Sequence, residues 1–459
     1  MSDFWWLVAL WFVLVLLGTV NWQRLWGSLH VEGSIGSVEG LIGPGRLLVS
    51  APAVPQPGSR VEIVTSADSV SAVVASRIRR RDDTWAELVV ASSSKAESLL
   101  QGRTISLRTA QTDSSFVGIV EEGSSVDVLR FVAVRRLHVG AVVGVDDSGE
   151  TVLFQISRAR VERKSINGGA QLVTVAEAVQ LGAFAVDTCR LTKNRWVVPA
   201  GAIVREVDAA PVVDDVPEHL FRLGTVLYTQ IPVYLDLAML CEGHTSVLGM
   251  TKMGKSTLTH RLSAAIAADR RTVVLDATGE YAKKKGVVQF DKSVPWHEPS
   301  LTVLEPPDGT VRPDYALKCV DKLMEIASEE YNVGDPTPRV LVFEEAHDFF
   351  PEPASLGFNA PGRDSSYSLG LRMMQVRKYG MSFLLVSQRT AVVSKSALSQ
   401  CENLIVFRSV DRTGLDYLED LSGTDVRSVI PTLKQGEAVV FGPAVSADGA
   451  VAVKVDLAT

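Results

Sequence analysis

The hydrophobic pattern divides the chain into three parts. An uncharged apolar run, "FWWLVALWFVLVLLGTV", extends from Phe4 to Val20. From Val31 to about Asp208, short runs of alternating apolar and polar residues recur between turn-forming residues, as in "SRVEIVTS" and "WAELVVAS". Turns at a spacing of roughly 8–12 residues are typical of β-barrels and sandwiches. After residue 220, continuous apolar runs alternate with stretches at helical spacing, which predicts a parallel α/β sheet covered on both faces.

The 459-residue length predicts several domains, since one domain usually takes ~100–200 residues. The acidic, proline-bearing segment "VDAAPVVDDVPEHL", from Val207 to Leu220, indicates a linker. A softer boundary is expected in "TAQTDSS", Thr109 to Ser115. We therefore predict a multidomain chain with an N-terminal transmembrane helix, a β-barrel region and an α/β domain. Its four parts are an anchor at 1–27, a β-rich module at 28–110, a second β module at 111–207 and the α/β domain at 208–459.

The N-terminal run predicts a membrane anchor. As a helix its 17 residues would span about 25 Å, near the lower limit for crossing a hydrocarbon core of about 30 Å. The alternative is a cleaved signal peptide, but the preceding tip carries Asp3 without Lys or Arg, and no small-residue cleavage site follows. Because Arg24 follows the run, the positive-inside rule predicts a single-pass cell-membrane protein whose later domains are cytoplasmic.

The net charge restricts where a nucleic-acid partner could bind, and the cysteine positions restrict the kind of site and the cellular setting. The net charge of −7 gives no global basic signature, so a nucleic-acid partner would need a local basic surface. The four cysteines form no C-x-x-C pair, which disfavours a disulfide framework or zinc site and fits a reduced cytosolic setting.

The segment "GMTKMGKSTLTHRL" has the spacing of a phosphate-binding loop, with an apolar strand before it and a helix after it. Loop amides and the helix N-terminus can bind phosphate oxygens. Lys255 would reach the β- and γ-phosphates, and the Ser256 hydroxyl would ligate Mg²⁺. Lys252 and Met253 replace the usual small residues, and their bulk is tolerable because their side chains can point outward. The predicted nucleotide-binding residues are Gly249, Thr251, Gly254, Lys255, Ser256 and Thr257.

The strand "RVLVFEEAH" predicts the catalytic carboxylates at its carboxyl end. Glu344 would hold Mg²⁺ through water, and Glu345 would polarise the attacking water. The alternative is a pair of glutamates at the start of a solvated helix. Gln388, after "FLLVSQ", could sense the γ-phosphate or simply be a polar residue leaving the sheet. Asp276 and Glu280, after the second strand, are expected to face the same crevice.

Two arginines are candidates for a finger that reaches a neighbouring subunit's nucleotide. Arg408 ends the strand "NLIVFRS", and Arg377 lies in "VRKYG". Either could instead be a structural ion-pair partner, such as Arg408 with Asp411.

Taken together, these motifs resemble the HerA branch of the HerA/FtsK P-loop ATPases. The residues that carry the resemblance are "GMTKMGKST", "VVLDATGEY", "LVFEEAH", "RKYGMSFLLVSQRT" and "LSQCENLIVFRSVD", between about Arg222 and Gly442. The upstream β region, most clearly Phe116 to Arg160, looks like the HAS barrel of that family. The resemblance implies a RecA-like fold, ATP and Mg²⁺ as cofactors, and a homohexamer that moves double-stranded DNA through its pore, in some cases with a partner nuclease.

The chain departs from the family pattern at three places. The phosphate loop carries Lys252 and Met253 where the family usually has Gly-Ser. The first acidic residue of the Walker-B pair is Glu344 rather than the more usual aspartate. The predicted anchor at residues 4–20 has no counterpart in soluble HerA proteins.

Two functions stay open at the level of sequence. The first is a membrane-anchored ATPase that translocates double-stranded DNA, in anti-phage defence or DNA processing. Its DNA-binding candidates are basic residues in expected pore loops, namely Lys283, Lys284, Lys285, Arg363 and Arg372. The lysine run could equally be a solvated turn. The second function is a membrane-bound, ATP-switched scaffold that recruits or gates an effector protein without processive DNA movement.

Overall fold

The computed structural model describes residues 34–43, 45–65, 69–79, 83–90, 96–97, 99–100, 104–112, 114–147, 150–166, 169–207, 216–279, 281, 300–334, 337–352, 360–422 and 427–457. The predicted membrane segment at residues 4–20 lies outside these ranges. Within them, no helix combines the length and the apolar character needed to span a bilayer.

The first six strands close into an antiparallel barrel in the order β1-β2-β5-β4-β3-β6. They are β1 (Ser34–Gly43), β2 (Arg46–Ala51), β3 (Ser59–Val64), β4 (Ser69–Arg79), β5 (Thr84–Val90) and β6 (Thr104–Thr112). The alternation in "SRVEIVTS" explains the strand, since Val61 and Ile63 are fully buried while Arg60 and Glu62 are exposed. Strand β6 extends two residues past the predicted module boundary at residue 110.

A second sheet of seven strands follows, in the order β10-β9-β13-β7-β8-β11-β12. Because β10 also pairs with β11, six of these strands close into a second barrel and β12 extends it. The strands are β7 (Phe116–Val120), β8 (Val128–Ala133), β9 (Val142–Asp147), β10 (Glu150–Ile166), β11 (Gly169–Ala185), β12 (Arg190–Thr192) and β13 (Ile203–Glu206).

The third sheet has ten strands in the order β15-β14-β23-β22-β21-β16-β20-β19-β17-β18. Its six consecutive strands from β21 to β18 are parallel, as predicted. The run "EAVVFG" is antiparallel to its neighbours, because it forms a hairpin that continues into three further antiparallel strands. The ten strands are β14 (Leu220–Val226), β15 (Pro232–Asp236), β16 (His244–Leu248), β17 (Arg271–Asp276), β18 (Ser300–Leu304), β19 (Arg339–Glu344), β20 (Met381–Ser387), β21 (Cys401–Phe407), β22 (Glu437–Phe441) and β23 (Val451–Val455).

Six α-helices accompany this sheet in the described part of the chain. They are α1 (Leu237–Glu242), α2 (Lys255–Ala267), α3 (Arg312–Val333), α4 (Arg363–Gln375), α5 (Lys395–Leu398) and α6 (Arg412–Ser422). Alternate residues of each central strand enter opposite cores. Leu341 and Phe343 of β19 pack with α3 on one face, whereas Val340 and Val342 pack with α2 on the other. Continuous apolar strands therefore arise because both faces are covered.

The second barrel is joined to the ten-stranded sheet by a buried amide. Nε2 of Gln155, on β10, donates to the backbone oxygen of Ala452 at 3.1 Å. Its Oε1 accepts from the N–H of Ala452 at 2.8 Å. Gln155 is only 7% exposed, so this two-way bond to β23 fixes the barrel against the sheet without leaving a buried polar group unsatisfied.

Candidate nucleotide-binding site

The predicted chemistry collects at the carboxyl edge of the parallel strands. Leu248, the last residue of β16, lies opposite Ser387 of β20. Glu344, the last residue of β19, lies opposite Val386 of β20 on one side and Asp276 of β17 on the other. The phosphate loop, Gln388 and the two glutamates therefore leave the sheet side by side, at the edge where open α/β sheets bind ligands.

The loop conformation depends on its two glycines. Gly249 has φ +138° and Gly254 has φ +116°, values that favour glycine. A Cβ on Gly249 would lie 2.7 Å from Cβ of Phe407, and one on Gly254 would lie 2.7 Å from Cδ1 of Leu457. Both positions therefore require glycine for space as well as for backbone angle.

The two unusual loop residues behave differently from each other. Lys252 is exposed with φ +61°, as expected for a side chain that points outward. Met253 is half-buried and packs against the apolar cluster under the loop, and its backbone oxygen accepts from the N–H of Gly436 at 2.9 Å. Met253 therefore does not take the outward position that the sequence allows, because its side chain packs against this cluster instead.

Lys255 is the first residue of α2 and is 7% exposed. Its Nζ donates to the backbone oxygen of Met250 across the loop at 2.9 Å. Ser256 and Thr257 follow in the first helical turn and are half-buried. The helix N-terminus presents unpaired amides and a partial positive charge, so this loop has the composition and the conformation of an anion site.

The two glutamates of β19 end in different environments. Glu344 is 3% exposed and still belongs to the strand. Glu345 is half-buried and adopts the left-handed conformation, with φ 58° and ψ 57°. For a residue other than glycine this conformation costs roughly 1–2 kcal/mol, and it persists where surrounding contacts determine it. The chain therefore turns sharply at Glu345 and enters a short 3-10 helix, Ala346–Asp348.

Gln388 links the phosphate loop to Glu345. The Thr251 hydroxyl donates to Oε1 of Gln388 at 2.6 Å, and Nε2 of Gln388 donates to Oε1 of Glu345 at 2.6 Å. Because a carboxylate can only accept, the amide orientation follows from its partners. The side chains of Thr251, Gln388 and Glu345 thus form one hydrogen-bonded chain across the site.

Glu345 is ionised at neutral pH. Burial alone would raise the pKa of this carboxyl group, but the hydrogen bond and charge of His347, the N–H of Gln388 and the charge of Lys255 together lower the pKa below its usual value. The positive charge of Lys255 therefore favours the ionised form of this carboxylate. An ionised carboxylate here can accept a hydrogen bond from a water molecule.

The donor set fits Mg²⁺ bound together with a nucleotide. No cluster of three or more His, Cys, Asp or Glu side chains with metal-binding geometry occurs among the described residues. Mg²⁺ bound beside phosphates does not need such a cluster, because one or two protein oxygens, phosphate oxygens and waters complete its octahedral coordination. The Ser256 hydroxyl and the buried Glu344 carboxylate supply oxygens of that type.

Asp276 lies at the predicted edge, but its carboxylate organises the following loop. It is fully buried, and Oδ1 accepts from the N–H groups of Thr278 and Gly279 at 3.0 and 2.9 Å. Oδ2 accepts from the N–H of Tyr281 at 2.9 Å. The expectation that Asp276 faces the crevice was therefore wrong, and its role is structural. Glu280, which was expected to face the same crevice, lies outside the described residues.

The two finger candidates lie at opposite edges of the sheet. Arg408 is exposed beside the phosphate loop, and its backbone oxygen accepts from the N–H of Met250 at 2.9 Å. Asp411 instead caps α6 through the N–H of Gly414 at 3.0 Å. Arg377 precedes β20, where its Nε donates to the backbone oxygen of Glu242 at 3.2 Å and its Nη1 pairs with Glu402. The finger role of either arginine stays a prediction.

The DNA-binding candidates are not all in loops. Arg363 is the first residue of α4, and Nε of Arg372 in the last turn of α4 donates to Oδ1 of Asp321 on α3 at 2.7 Å. The expectation of a loop here was wrong. Leu369 and Met373 of the serine-rich segment are buried against the core, and such packing outweighs weak helix propensity. Lys283, Lys284 and Lys285 lie outside the described residues.

Sequence comparison identifies relatives of part of this chain. Residues 221–349 match the family model for the central domain of helicase HerA. The DNA double-strand break repair helicase HerA of Pyrococcus furiosus is 32% identical over 112 residues, which are 24% of this chain and 19% of that protein. A probable helicase of Methanocaldococcus jannaschii is 30% identical over 119 residues, 25% of this chain and 22% of that protein. The chain thus spans about a fifth of the length of the curated relatives it matches.

Two solved structures are similar at low sequence identity. The genome-packaging NTPase B204 of Sulfolobus turreted icosahedral virus 2, in complex with ATPγS, is 17% identical with a TM-score of 0.37, covering 48% of this chain and 100% of that chain. The pCW3 conjugation coupling protein TcpA is 11% identical with a TM-score of 0.40, covering 74% and 88%. The sequence matches support the resemblance of the α/β domain to the HerA/FtsK P-loop ATPases.

Proposed function

We propose that this protein hydrolyses ATP at the carboxyl edge of its ten-stranded sheet. The observation that carries the proposal is the continuous chain from Thr251 of the phosphate loop through Gln388 to Glu345. The charge of Lys255 acts on the same carboxylate. A loop that can bind phosphates and an ionised carboxylate that can orient water are the two parts that phosphoryl transfer to water requires.

The proposed reaction assigns each residue a step. The loop amides and Lys255 bind the β- and γ-phosphates, and Ser256 and Glu344 would hold Mg²⁺, which neutralises charge that develops on the phosphates. Glu345 accepts a hydrogen bond from the attacking water and orients it in line. Nε2 of Gln388 exchanges its bond to Glu345 for one to a γ-phosphate oxygen and thereby reports whether that phosphate is present.

We further propose that hydrolysis drives translocation of double-stranded DNA by a homohexamer. The match of residues 221–349 to the HerA central domain supports this proposal, as does the relative from P. furiosus, whose name describes a DNA repair helicase. The apolar run at residues 4–20 would anchor the assembly in the cell membrane with its domains in the cytoplasm. A nuclease partner would give it a role in DNA processing or anti-phage defence.

The test is magnesium-dependent ATP hydrolysis by the full chain in detergent, with and without duplex DNA. A translocase should be stimulated by DNA at low salt, and stimulation should fall as salt rises, because phosphate contacts release counterions. Lys255→Ala is the control for contaminating hydrolysis. Hydrolysis that duplex DNA leaves unchanged at low salt would contradict translocation.

That last result would favour the ATP-switched scaffold. The observation that would support the scaffold directly is one stoichiometric protein partner whose activity follows the bound nucleotide in the absence of DNA. Parent protein with no more hydrolysis than Lys255→Ala would contradict both functions.

A further inference from the structure

His347, the last residue of the E-E-A-H segment, lies against the catalytic carboxylate. It belongs to the 3-10 helix that follows β19, and its side chain is 15% exposed. Its Nδ1 is 3.1 Å from Oε2 of Glu345 and 3.3 Å from Oγ of Ser387. Its position in the motif does not by itself reveal a role, because the histidine could equally face solvent.

The partners of the ring determine which nitrogen carries the proton. A carboxylate oxygen only accepts hydrogen bonds, so Nδ1 must carry hydrogen to bond Glu345. Ser387 is compatible with that tautomer, because its Oγ donates to the backbone oxygen of Arg389 at 3.4 Å and can accept from Nδ1. His347 is therefore a donor to Oε2 of Glu345.

The two donors to Glu345 differ in whether their hydrogen bonds to it can persist during the reaction. Gln388, which holds Oε1, is also bonded to Thr251 of the phosphate loop and would change partners when a γ-phosphate enters. His347 is joined to Glu345 through one intervening residue of the same turn, so its bond to Oε2 can survive that exchange. His347 is thus the donor that can hold the carboxylate while water attacks.

The far side of the ring faces a second set of charged groups. Nε2 of His347 is 3.7 Å from Oδ1 of Asp348, and Asp348 forms an ion pair with Arg312 of α3. Arg312 in turn donates through Nη2 to the backbone oxygen of Ala277 at 3.1 Å. These groups flank the ring, and the hydrogen bond from Nδ1 to Glu345 is the contact that orients it.

We infer that His347 is a positioning residue, which holds the Glu345 carboxylate in the orientation that aligns the attacking water. The inference rests on the proposed ATP hydrolysis. It predicts an effect on the chemical step rather than on nucleotide affinity, because His347 faces the carboxylate and not the phosphate loop. Small displacements of a catalytic group of this kind can lower rates by roughly 10²-fold.

The test compares three substitutions in the full chain. His347→Ala removes the donor, His347→Asn places an amide N–H near the position of Nδ1, and His347→Gln places it near Nε2. We expect His347→Ala and His347→Gln to lower kcat by about 10- to 100-fold with KM for ATP within about 3-fold of the parent. His347→Asn should recover most of kcat. Equilibrium binding of an ATP analogue shows that each variant retains a folded site.

Three results would overturn the inference: parental kcat in His347→Ala, a loss that appears in KM alone, or a His347→Gln variant as active as His347→Asn. Should His347→Ala fail to fold, the contrast between the Asn and Gln variants decides alone. If the parent shows no more hydrolysis than Lys255→Ala, it is the proposed function that fails, so the two failures are distinguishable.

Discussion

The two edges of the parallel sheet both carry charged residues, but the residues are used in different ways. At the carboxyl edge, Gln388 and Glu345 are half-buried and bonded to each other and to the phosphate loop. At the amino edge, the side chain of Arg339 is 0% exposed and its Nη2 lies 2.6 Å from Oε1 of Glu330 on α3. Arg271 also pairs with Glu330, at 3.4 Å.

The difference follows from what each edge must accomplish. The amino-edge charges tie β17 and β19 to α3 and have no access to a ligand. Buried groups of this kind are expensive to break, because the remaining partner is left as an uncompensated charge. Gln388 and Glu345 keep contact with the cleft, so removing either should damage chemistry and leave stability nearly unchanged. The contrast predicts that activity and stability respond separately to substitutions at the two edges.

The largest expected effect is at the carboxyl edge. Glu345→Gln removes the ionised acceptor for the attacking water, so kcat should fall by about 10²- to 10⁴-fold. Binding of an ATP analogue and the melting temperature should stay close to those of the parent, because the amide occupies the same space. Steady-state hydrolysis, analogue titration and thermal unfolding measure the three quantities. A variant with parental kcat would remove Glu345 from the mechanism.

At the amino edge, Glu330→Gln should destabilise the protein by about 3–5 kcal/mol, since it leaves Arg339 and Arg271 without their shared carboxylate. The measurement is urea unfolding. Glu325→Gln on the same helix is the matched control, because Glu325 is 60% exposed in its pair with Lys322 and such pairs contribute little. Equal losses in the two variants would contradict the structural role of the buried cluster.

His244 makes the amino edge sensitive to acid. Burial lowers the pKa of this histidine to about 4, and its ring is neutral, accepting from the N–H of Phe383 at 2.9 Å and donating to the backbone oxygen of Met373 at 2.8 Å. In the unfolded chain the pKa is near 6.5. The unfolded state therefore binds more protons between these values, and stability is lost as pH falls from 6.5 to 4.

The expected loss over that pH range is about 3 kcal/mol, since one pKa unit corresponds to about 1.4 kcal/mol. Urea unfolding of the parent and of His244→Asn at several pH values between 7 and 4 measures it. The variant should show a flatter dependence on pH. Identical slopes in the two proteins would show that another group causes the acid sensitivity.

The smallest expected effect concerns Arg377. Its side chain is 45% exposed and pairs with Glu402, which is 41% exposed, so Arg377→Gln should cost less than about 1 kcal/mol of stability. We also expect kcat to stay at the parental value, because the guanidinium of Arg377 is already bonded to Glu402 and to the backbone oxygen of Glu242. A finger contributes about 10³-fold or more to kcat. A loss of that size would favour Arg377 over Arg408 as the finger.

Sequence patterns predicted the carboxyl edge better than the amino edge for a physical reason. The apolar runs "LVF" and "FLLVS" stop where β19 and β20 meet polar residues, so Glu344 and Gln388 are located by the pattern alone. The cluster of Arg339 and Glu330 depends on how α3 returns to the sheet. Local sequence patterns do not specify how close the Arg339 and Glu330 side chains come in the folded chain. An arginine that begins a strand is normally exposed.

Other features also depended on tertiary contacts. Strand β22 is antiparallel because of a hairpin that its own apolar run does not specify. Helix α4 forms in a serine-rich segment because Leu369 and Met373 find a core. The position of His347 against Glu345 depends on the left-handed turn at Glu345, which no residue type in "EEAH" predicts.

The central claim is that the phosphate loop and the acidic end of β19 act on one triphosphate at the carboxyl edge. Its most direct test is an equilibrium titration of the full chain with a fluorescent ATP analogue and Mg²⁺, comparing the parent with Lys255→Ala and Arg377→Gln. We predict one site per protomer in the parent, unchanged affinity in Arg377→Gln, and roughly 10- to 100-fold weaker binding in Lys255→Ala from the lost charged hydrogen bonds. Parental affinity in Lys255→Ala would contradict the account.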